Sequence, residues 1–267
     1  MAQQVIEPSI LRPRSSQQHF DYERHEAPAP LGELIEHFWT VTWALDRGES
    51  YTAQTLPYPS VNLSVTNTEA DLTGLARRCY YRYLEGSGYA IGARFRPACF
   101  RPFVDWPVSA LTNRHRPIAE VLGRSTQDLK RQIAGLSDAR YRVEVLAGFL
   151  AQRWPAPDAT AQRLADLVEV IAGDRTITRV AQVAELAELT VRSLQRFFAD
   201  YVGAGPKWVI QRFRLQDAAA RVVAADSIDW ASLAEELGFA DQAHLTRAFT
   251  ATIGVSPAAY ARQASSD

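Results

Sequence analysis

The sequence predicts an α+β protein: a β-rich N-terminal barrel or sandwich domain, a helical linker, and an all-α C-terminal domain with two helix-turn-helix units. Three observations carry this. A chain of 267 residues exceeds what one hydrophobic core usually serves, so two domains are expected. Apolar residues alternate with period two up to about residue 96 and recur with helical period after Ser109. A segment near residue 194 is repeated near residue 245. The composition, 47% hydrophobic and 22% charged, is that of a folded globular chain and excludes a disordered or fibrous one.

Residues 1–30 carry Pro8, Pro13, Pro28 and Pro30 among polar residues and read as a poorly ordered lead-in. A β-rich domain is expected over 31–110. There Trp39, Val41, Trp43 and Leu45 alternate with Thr40, Thr42 and Ala44, and Val61, Leu63 and Val65 alternate with Asn62, Ser64 and Thr66. Each pattern reads as a strand with one buried face. Further strands are expected at 78–84 and 89–96, on either side of the Gly86-Ser87-Gly88 turn. Helical segments near 117–122, 125–134 and 138–154 make 111–157 a helical linker or dimerisation region. Trp154-Pro155-Ala156-Pro157 ends it, because proline lacks the backbone donor and disfavours a helix in the residue before it. Residues 158–267 read as seven short helices and no strand, at about 160–172, 176–186, 190–202, 206–224, 229–237, 241–251 and 256–262.

The repeat organises this last domain. Leu194-Gln195-Arg196-Phe197-Phe198 leading to Val202-Gly203-Ala204-Gly205-Pro206 recurs as Leu245-Thr246-Arg247-Ala248-Phe249 leading to Ile253-Gly254-Val255-Ser256-Pro257. Upstream, Ala184 and Ala234 are the small residues that let a second helix cross closely. Leu194 with Phe198, and Leu245 with Phe249, spaced i and i+4, form the buried stripe of that second helix. Its polar remainder is Thr190, Arg192, Ser193, Gln195 and Arg196 in one copy, and Asp241, Gln242, His244, Thr246 and Arg247 in the other. These are side-chain types that reach base edges and phosphates. Asp241 is expected to cap its helix instead, since its charge repels phosphate. Residues 207–224 between the copies give about 27 Å of helix, against about 34 Å between successive major grooves. Arg212, Arg214 and Arg221 on that helix are expected at phosphates. Against this stands charge: residues 161–267 hold eleven basic and thirteen acidic side chains, which weakens any non-specific grip on DNA.

Gly238-Phe239-Ala240-Asp241-Gln242-Ala243-His244-Leu245-Thr246-Arg247-Ala248-Phe249, continuing to Gly254-Val255-Ser256-Pro257-Ala258-Ala259-Tyr260, resembles the signature of the AraC/XylS family of transcription regulators. The resemblance implies that Arg192, Gln195 and Arg196, and Gln242, His244 and Arg247, lie at the groove. It further implies double-stranded promoter DNA and RNA polymerase as partners, with a small-molecule effector and a homodimer in prospect. Glu188 departs from the pattern, standing where the second copy has Gly238 in its turn.

The N-terminal half holds seven of the ten tyrosines and three of the six tryptophans between residues 22 and 106. Trp39, Trp43, Tyr81, Tyr83, Phe95, Phe100 and Trp106 are the candidates for a ligand cavity, or equally for a filled core. Gly92-Ala93-Arg94-Phe95-Arg96-Pro97 resembles an element of a poorly characterised domain attached to some members of the family; Arg94 and Arg96 there suit an anionic effector or a structural salt bridge. The dispersed His19, His25, His37 and His115 give no metal-ligand spacing, and no cofactor is expected. Neither GxSxG, P-loop, dinucleotide fingerprint nor HExxH is present, so no enzyme is expected. Cys79 and Cys99 read as buried inert thiols. With no apolar run long enough for a membrane span and no signal-peptide core, a cytoplasmic location is expected. Two readings stay open: effector control through the N-terminal domain, or constitutive DNA binding with that domain serving dimerisation or protein interaction.

Overall fold

The computed structural model describes residues 18–123, 126–224 and 228–266. Eight strands come first: β1 (Asp21–His25), β2 (Ile35–Ala44), β3 (Ser50–Thr55), β4 (Asn62–Thr66), β5 (Ala70–Thr73), β6 (Tyr80–Glu85), β7 (Ser87–Phe95) and β8 (His115–Pro117). Six form one antiparallel sheet in the order β1-β2-β7-β4-β5-β8, and β3 with β6 form a separate two-stranded ribbon. Both sheets are open among the described residues, which corrects the barrel alternative. β1 falls inside the expected lead-in, whose residues 1–17 lie outside the described part. β8 lies at the start of the expected linker.

Register explains how the large sheet uses its two faces. Phe38, Ala93, Leu63 and Leu72 stand side by side on β2, β7, β4 and β5, as do Thr40, Ile91, Val65 and Ala70. All are buried. They share one core with three helices, α1 (Ile118–Leu122), α2 (Gln127–Ala134) and α3 (Ala139–Ala151), through Ile118, Leu129, Ile133, Leu146 and Leu150. The expected linker is therefore the second layer of the N-terminal domain. Phe95, Phe100 and Trp106 belong to this layer too, clustered with Phe103 and Trp154.

The C-terminal region has the seven helices that periodicity predicts: α4 (Ala159–Gly173), α5 (Val180–Leu186), α6 (Val191–Phe197), α7 (Pro206–Ala224), α8 (Trp230–Glu236), α9 (Gln242–Ile253) and α10 (Pro257–Ser266). A π-helical turn, Phe198–Val202, prolongs α6. Side-chain caps set several starts: Asp158, Thr190, Asp229 and Asp241 each accept from backbone N–H groups of the first turn. The Asp241 cap is as expected. The two repeats build two cores, one around Leu194 and Phe198, the other around Leu245 and Phe249.

Candidate nucleic-acid interface and the cavity of the N-terminal sheet

In each unit two helices cross over a buried alanine, Ala184 in α5 and Ala234 in α8. The turn between them needs a left-handed residue: Gly238 takes it with φ +76° in the second unit, and Glu188 with φ +55° in the first. The departure noted in the sequence therefore leaves the geometry of the turn unchanged.

The second helices, α6 and α9, bury Leu194 and Leu245 and leave Arg192, Gln195, Arg196, Gln242 and Arg247 exposed. Thr190 is exposed but committed to capping, accepting from the Ser193 N–H at 3.2 Å and meeting its hydroxyl at 3.0 Å. His244 is half-buried; its Nδ1 accepts from the Ala240 N–H at 3.3 Å and its ring meets Phe239 edge-on. Thr246 is half-buried as well.

Two of the expected phosphate contacts are corrected. Arg212 and Arg214 are only 2% and 1% exposed. Arg214 turns inward to donate to the Ile171 and Asp174 carbonyls, tying α7 to the end of α4. Arg212 donates to the carbonyl of Pro57, in the N-terminal domain. Two residues apart on a helix, they point to opposite sides of α7, and both sides are covered here, one by the N-terminal domain and the other by the end of α4, which charge alone does not reveal. Arg221 is engaged by Asp217 and Glu236.

The opposite face of the large sheet and the β3–β6 ribbon together line a half-open cavity of about 370 Å³. Trp39, Val41 and Trp43 of β2 form one wall, and Asn62, Ser64 and Thr66 of β4 the floor. Asp71, Arg82, Arg94 and His115 add charge or titratable groups. The two indoles lie across glycines of the neighbouring strand: a Cβ on Gly92 would stand 2.3 Å from Trp39 and one on Gly88 2.4 Å from Trp43. Burial and the nearby Glu69 raise the carboxyl of Asp71 above its ordinary range.

Of the sequence candidates, the structure brings only Trp39 and Trp43 together at this cavity. Tyr81 and Tyr83 are 54% and 60% exposed, because the inward positions of β6 are Tyr80, Arg82 and Leu84. Phe95, Phe100 and Trp106 belong to the core on the other side of the sheet. Sequence reasoning missed Asn62, Ser64 and Thr66. Their signal was the polar half of an alternation whose apolar half, Leu63 and Val65, was read correctly. Arg96 makes the salt bridges foreseen as one option, 3.4 Å to Asp166 and 2.7 Å to Glu169 of α4. Cys99 is buried, its thiol pushed up to about 12 by desolvation; Cys79 is half-buried and shifts the same way.

The N-terminal domain holds both helix-turn-helix units at equivalent corners. At the first, Thr112 Oγ1 donates to the Gly203 carbonyl at 2.6 Å and Arg101 pairs with Asp200 at 3.0 Å. At the second, Gln54 Nε2 donates to the Ile253 carbonyl at 2.9 Å and the Cys79 N–H to that of Thr252 at 3.1 Å. Gly203 and Gly254 are the same position of the repeat. The ribbon that lines the cavity thus grips the C-terminal end of α9 with its other face. No described group of His, Cys, Asp and Glu side chains suits a metal ion, and no described helix is long and apolar enough to cross a membrane.

Comparison with known proteins accords with this geometry. Residues 183–263 match a family model described as a helix-turn-helix domain, and residues 23–117 match one described as a domain of unknown function, DUF6597. No curated protein matches the sequence. Among solved structures, the chain is similar to the C-terminal domain of AraT, a response regulator from Geobacillus stearothermophilus, at 20% identity over 40% of this chain and 88% of that one, TM-score 0.36. It is also similar to ToxT from Vibrio cholerae O395, at 10% identity over 86% of this chain and 99% of that one, TM-score 0.41. Behind an N-terminal domain of unknown function, residues 183–263 thus form a helix-turn-helix domain of the AraC type.

Proposed function

We propose that this regulator reads DNA sequence with α6 and α9 and that a small molecule in the N-terminal cavity sets its affinity for DNA. The observation that carries the reading is the ribbon. Its inner side chains, Ala53, Thr55, Tyr80, Arg82 and Leu84, line the cavity, while Gln54 and Cys79 bond the end of α9. A cavity of this size suits a small organic ligand. A ligand that prefers one ribbon position over another shifts the balance between arrangements of the second unit, by no more than that difference in affinity. The groove-facing set is Arg192, Gln195 and Arg196 on α6, with Gln242, His244 and Arg247 on α9. Thr190, Ser193 and Thr246 contribute near the backbone.

The test is selection of DNA from a random library by the full chain, followed by affinity measurements with and without small-molecule mixtures. The expected motif has two segments about one helical turn apart. Arg192→Ala and Arg247→Ala each weaken binding to it by about 1–3 kcal/mol if they read bases. Unchanged affinity in both variants removes the site assignment. An affinity that no small molecule changes favours the rival, a constitutive binder whose N-terminal domain pairs with a second copy, for which the exposed Tyr81 and Tyr83 are the surface feature.

A further inference from the structure

The repeat pairs Leu194 with Leu245 and Phe198 with Phe249, and so sets Val191 of α6 against Gln242 of α9, Arg192 against Ala243, and Arg196 against Arg247. In both helices the capping residue and the third residue of the first turn are engaged locally. Thr190 Oγ1 bonds the N–H and the hydroxyl of Ser193, and Asp241 accepts from the His244 N–H. The two residues between them are left exposed, Val191 and Arg192 in one unit, Gln242 and Ala243 in the other. Val191 is 42% exposed, an apolar side chain beside the exposed Arg192, Gln195 and Arg196. It does little for the fold: valine is a poor helix former, and the surface it keeps in water adds nothing to the core.

We infer that Val191 is a specificity-determining residue whose methyl groups contact the C5 methyl of a thymine in the major groove. This rests on the reading that α6 lies in that groove, and names a base it reads. The residues that open a recognition helix are the ones that reach base edges. Those edges present hydrogen-bond donors and acceptors, and the thymine methyl is their one apolar feature. A valine offers neither donor nor acceptor. Against any other base it strips water from a polar edge and puts nothing in its place, which is unfavourable. A glutamine, which is what α9 carries at the equivalent place in Gln242, instead suits adenine through two hydrogen bonds. The two units share an arginine, Arg196 and Arg247, and differ here, so the two segments of the motif are expected to differ at this base.

The experiment uses the full chain and the DNA motif it selects, resynthesised with uracil in place of each thymine in turn. Uracil pairs as thymine does and lacks only the methyl group. At one position uracil is expected to lower affinity about four-fold, the effect of burying one methyl-sized group. Val191→Ser is expected to bind thymine and uracil there equally well, a ratio that a merely structural role for the valine would not move. Selection repeated with Val191→Gln, which copies Gln242, is expected to replace that thymine by adenine. A motif with no position sensitive to uracil overturns the contact. So does a sensitivity that survives in Val191→Ser, or a thymine retained by Val191→Gln, since another side chain then holds the methyl. If the contact fails while Arg192→Ala and Arg247→Ala still weaken binding, α6 and α9 remain the reading helices. If no motif is selected, or neither arginine matters, the groove reading falls and the contact with it.

Discussion

Glu188 and Gly238 occupy one position of the repeated turn, yet substitution there has opposite signs. A side chain held at φ +55° carries strain of about 1 kcal/mol, since only glycine adopts that region freely. Glu188→Gly relieves it, and is expected to raise stability by somewhat less, about 0.5–1 kcal/mol, because glycine also loses more backbone entropy on folding. Gly238→Ala meets both strain and a wall: its Cβ would stand 2.5 Å from Thr178 Cβ. A loss of about 2 kcal/mol or more is expected from strain and overpacking together. Chemical denaturation of the two variants checks the pair; loss in both, or gain in both, contradicts the account. At this scale the sequence was legible where a residue acts through its neighbours in the chain, as in the Asp241 cap and the Leu194 and Leu245 stripes. It was opaque for Arg212 and Arg214, whose type advertises phosphate contact while their position on α7 turns them into the protein.

At the scale of elements, the cavity depends on two strands meeting at paired indoles and glycines. Trp43 stands opposite Gly88 and Trp39 opposite Gly92, and each indole lies where a Cβ would be. The two glycines differ in what else surrounds them. The three atoms nearest a Cβ on Gly88 all belong to Trp43, whereas a Cβ on Gly92 also meets the Leu63 carbonyl of β4 at 2.4 Å. Gly88→Ala is expected to cost about 1–3 kcal/mol by overpacking, and most of that vanishes in a Trp43→Ala background. Gly92→Ala keeps most of its cost in a Trp39→Ala background. Two double-mutant cycles measure this, and equal coupling in both sinks the cavity-wall geometry. Strands β2, β4, β6 and β7 and all seven C-terminal helices were legible, because long periodic runs fix their type. Strands β1, β3, β5 and β8 were not: they are short and offer few apolar residues to alternate. The assignment of Tyr81 and Tyr83 to a cavity failed at this same scale. Period two gives the two faces of β6, but only the ribbon's position over the sheet decides which of them looks inward.

At the scale of the molecule, the two domains share cores. Leu56, from the loop after β3, is buried in the core of the second helix-turn-helix unit with Leu215, Leu233 and Phe249, and Ala98 is buried in the core of the first. Ring contact of Tyr58 with Phe213 and the Arg96 salt bridges to α4 reinforce the junction. The boundary expected between the linker at 111–157 and the domain at 158–267 is thus a division of the sequence more than of the packing. Unfolding of the N-terminal domain would uncover apolar surface on both units, so the full chain is expected to unfold in one cooperative step, with calorimetric and van't Hoff enthalpies equal. Leu56→Ala separates this account from that of independent domains. Truncating a buried leucine costs about 2–5 kcal/mol through lost burial and the cavity left behind. Here the loss falls on a core whose other members all lie beyond residue 214. Hydrogen exchange is therefore expected to speed up in α8, α9 and α10 at least as much as in β3, although the substitution is in the N-terminal domain. Faster exchange confined to the strands, or two resolved thermal transitions with only one moved, would mean that the ribbon touches α9 without supporting it, and the route from cavity to DNA-binding unit would be lost with it.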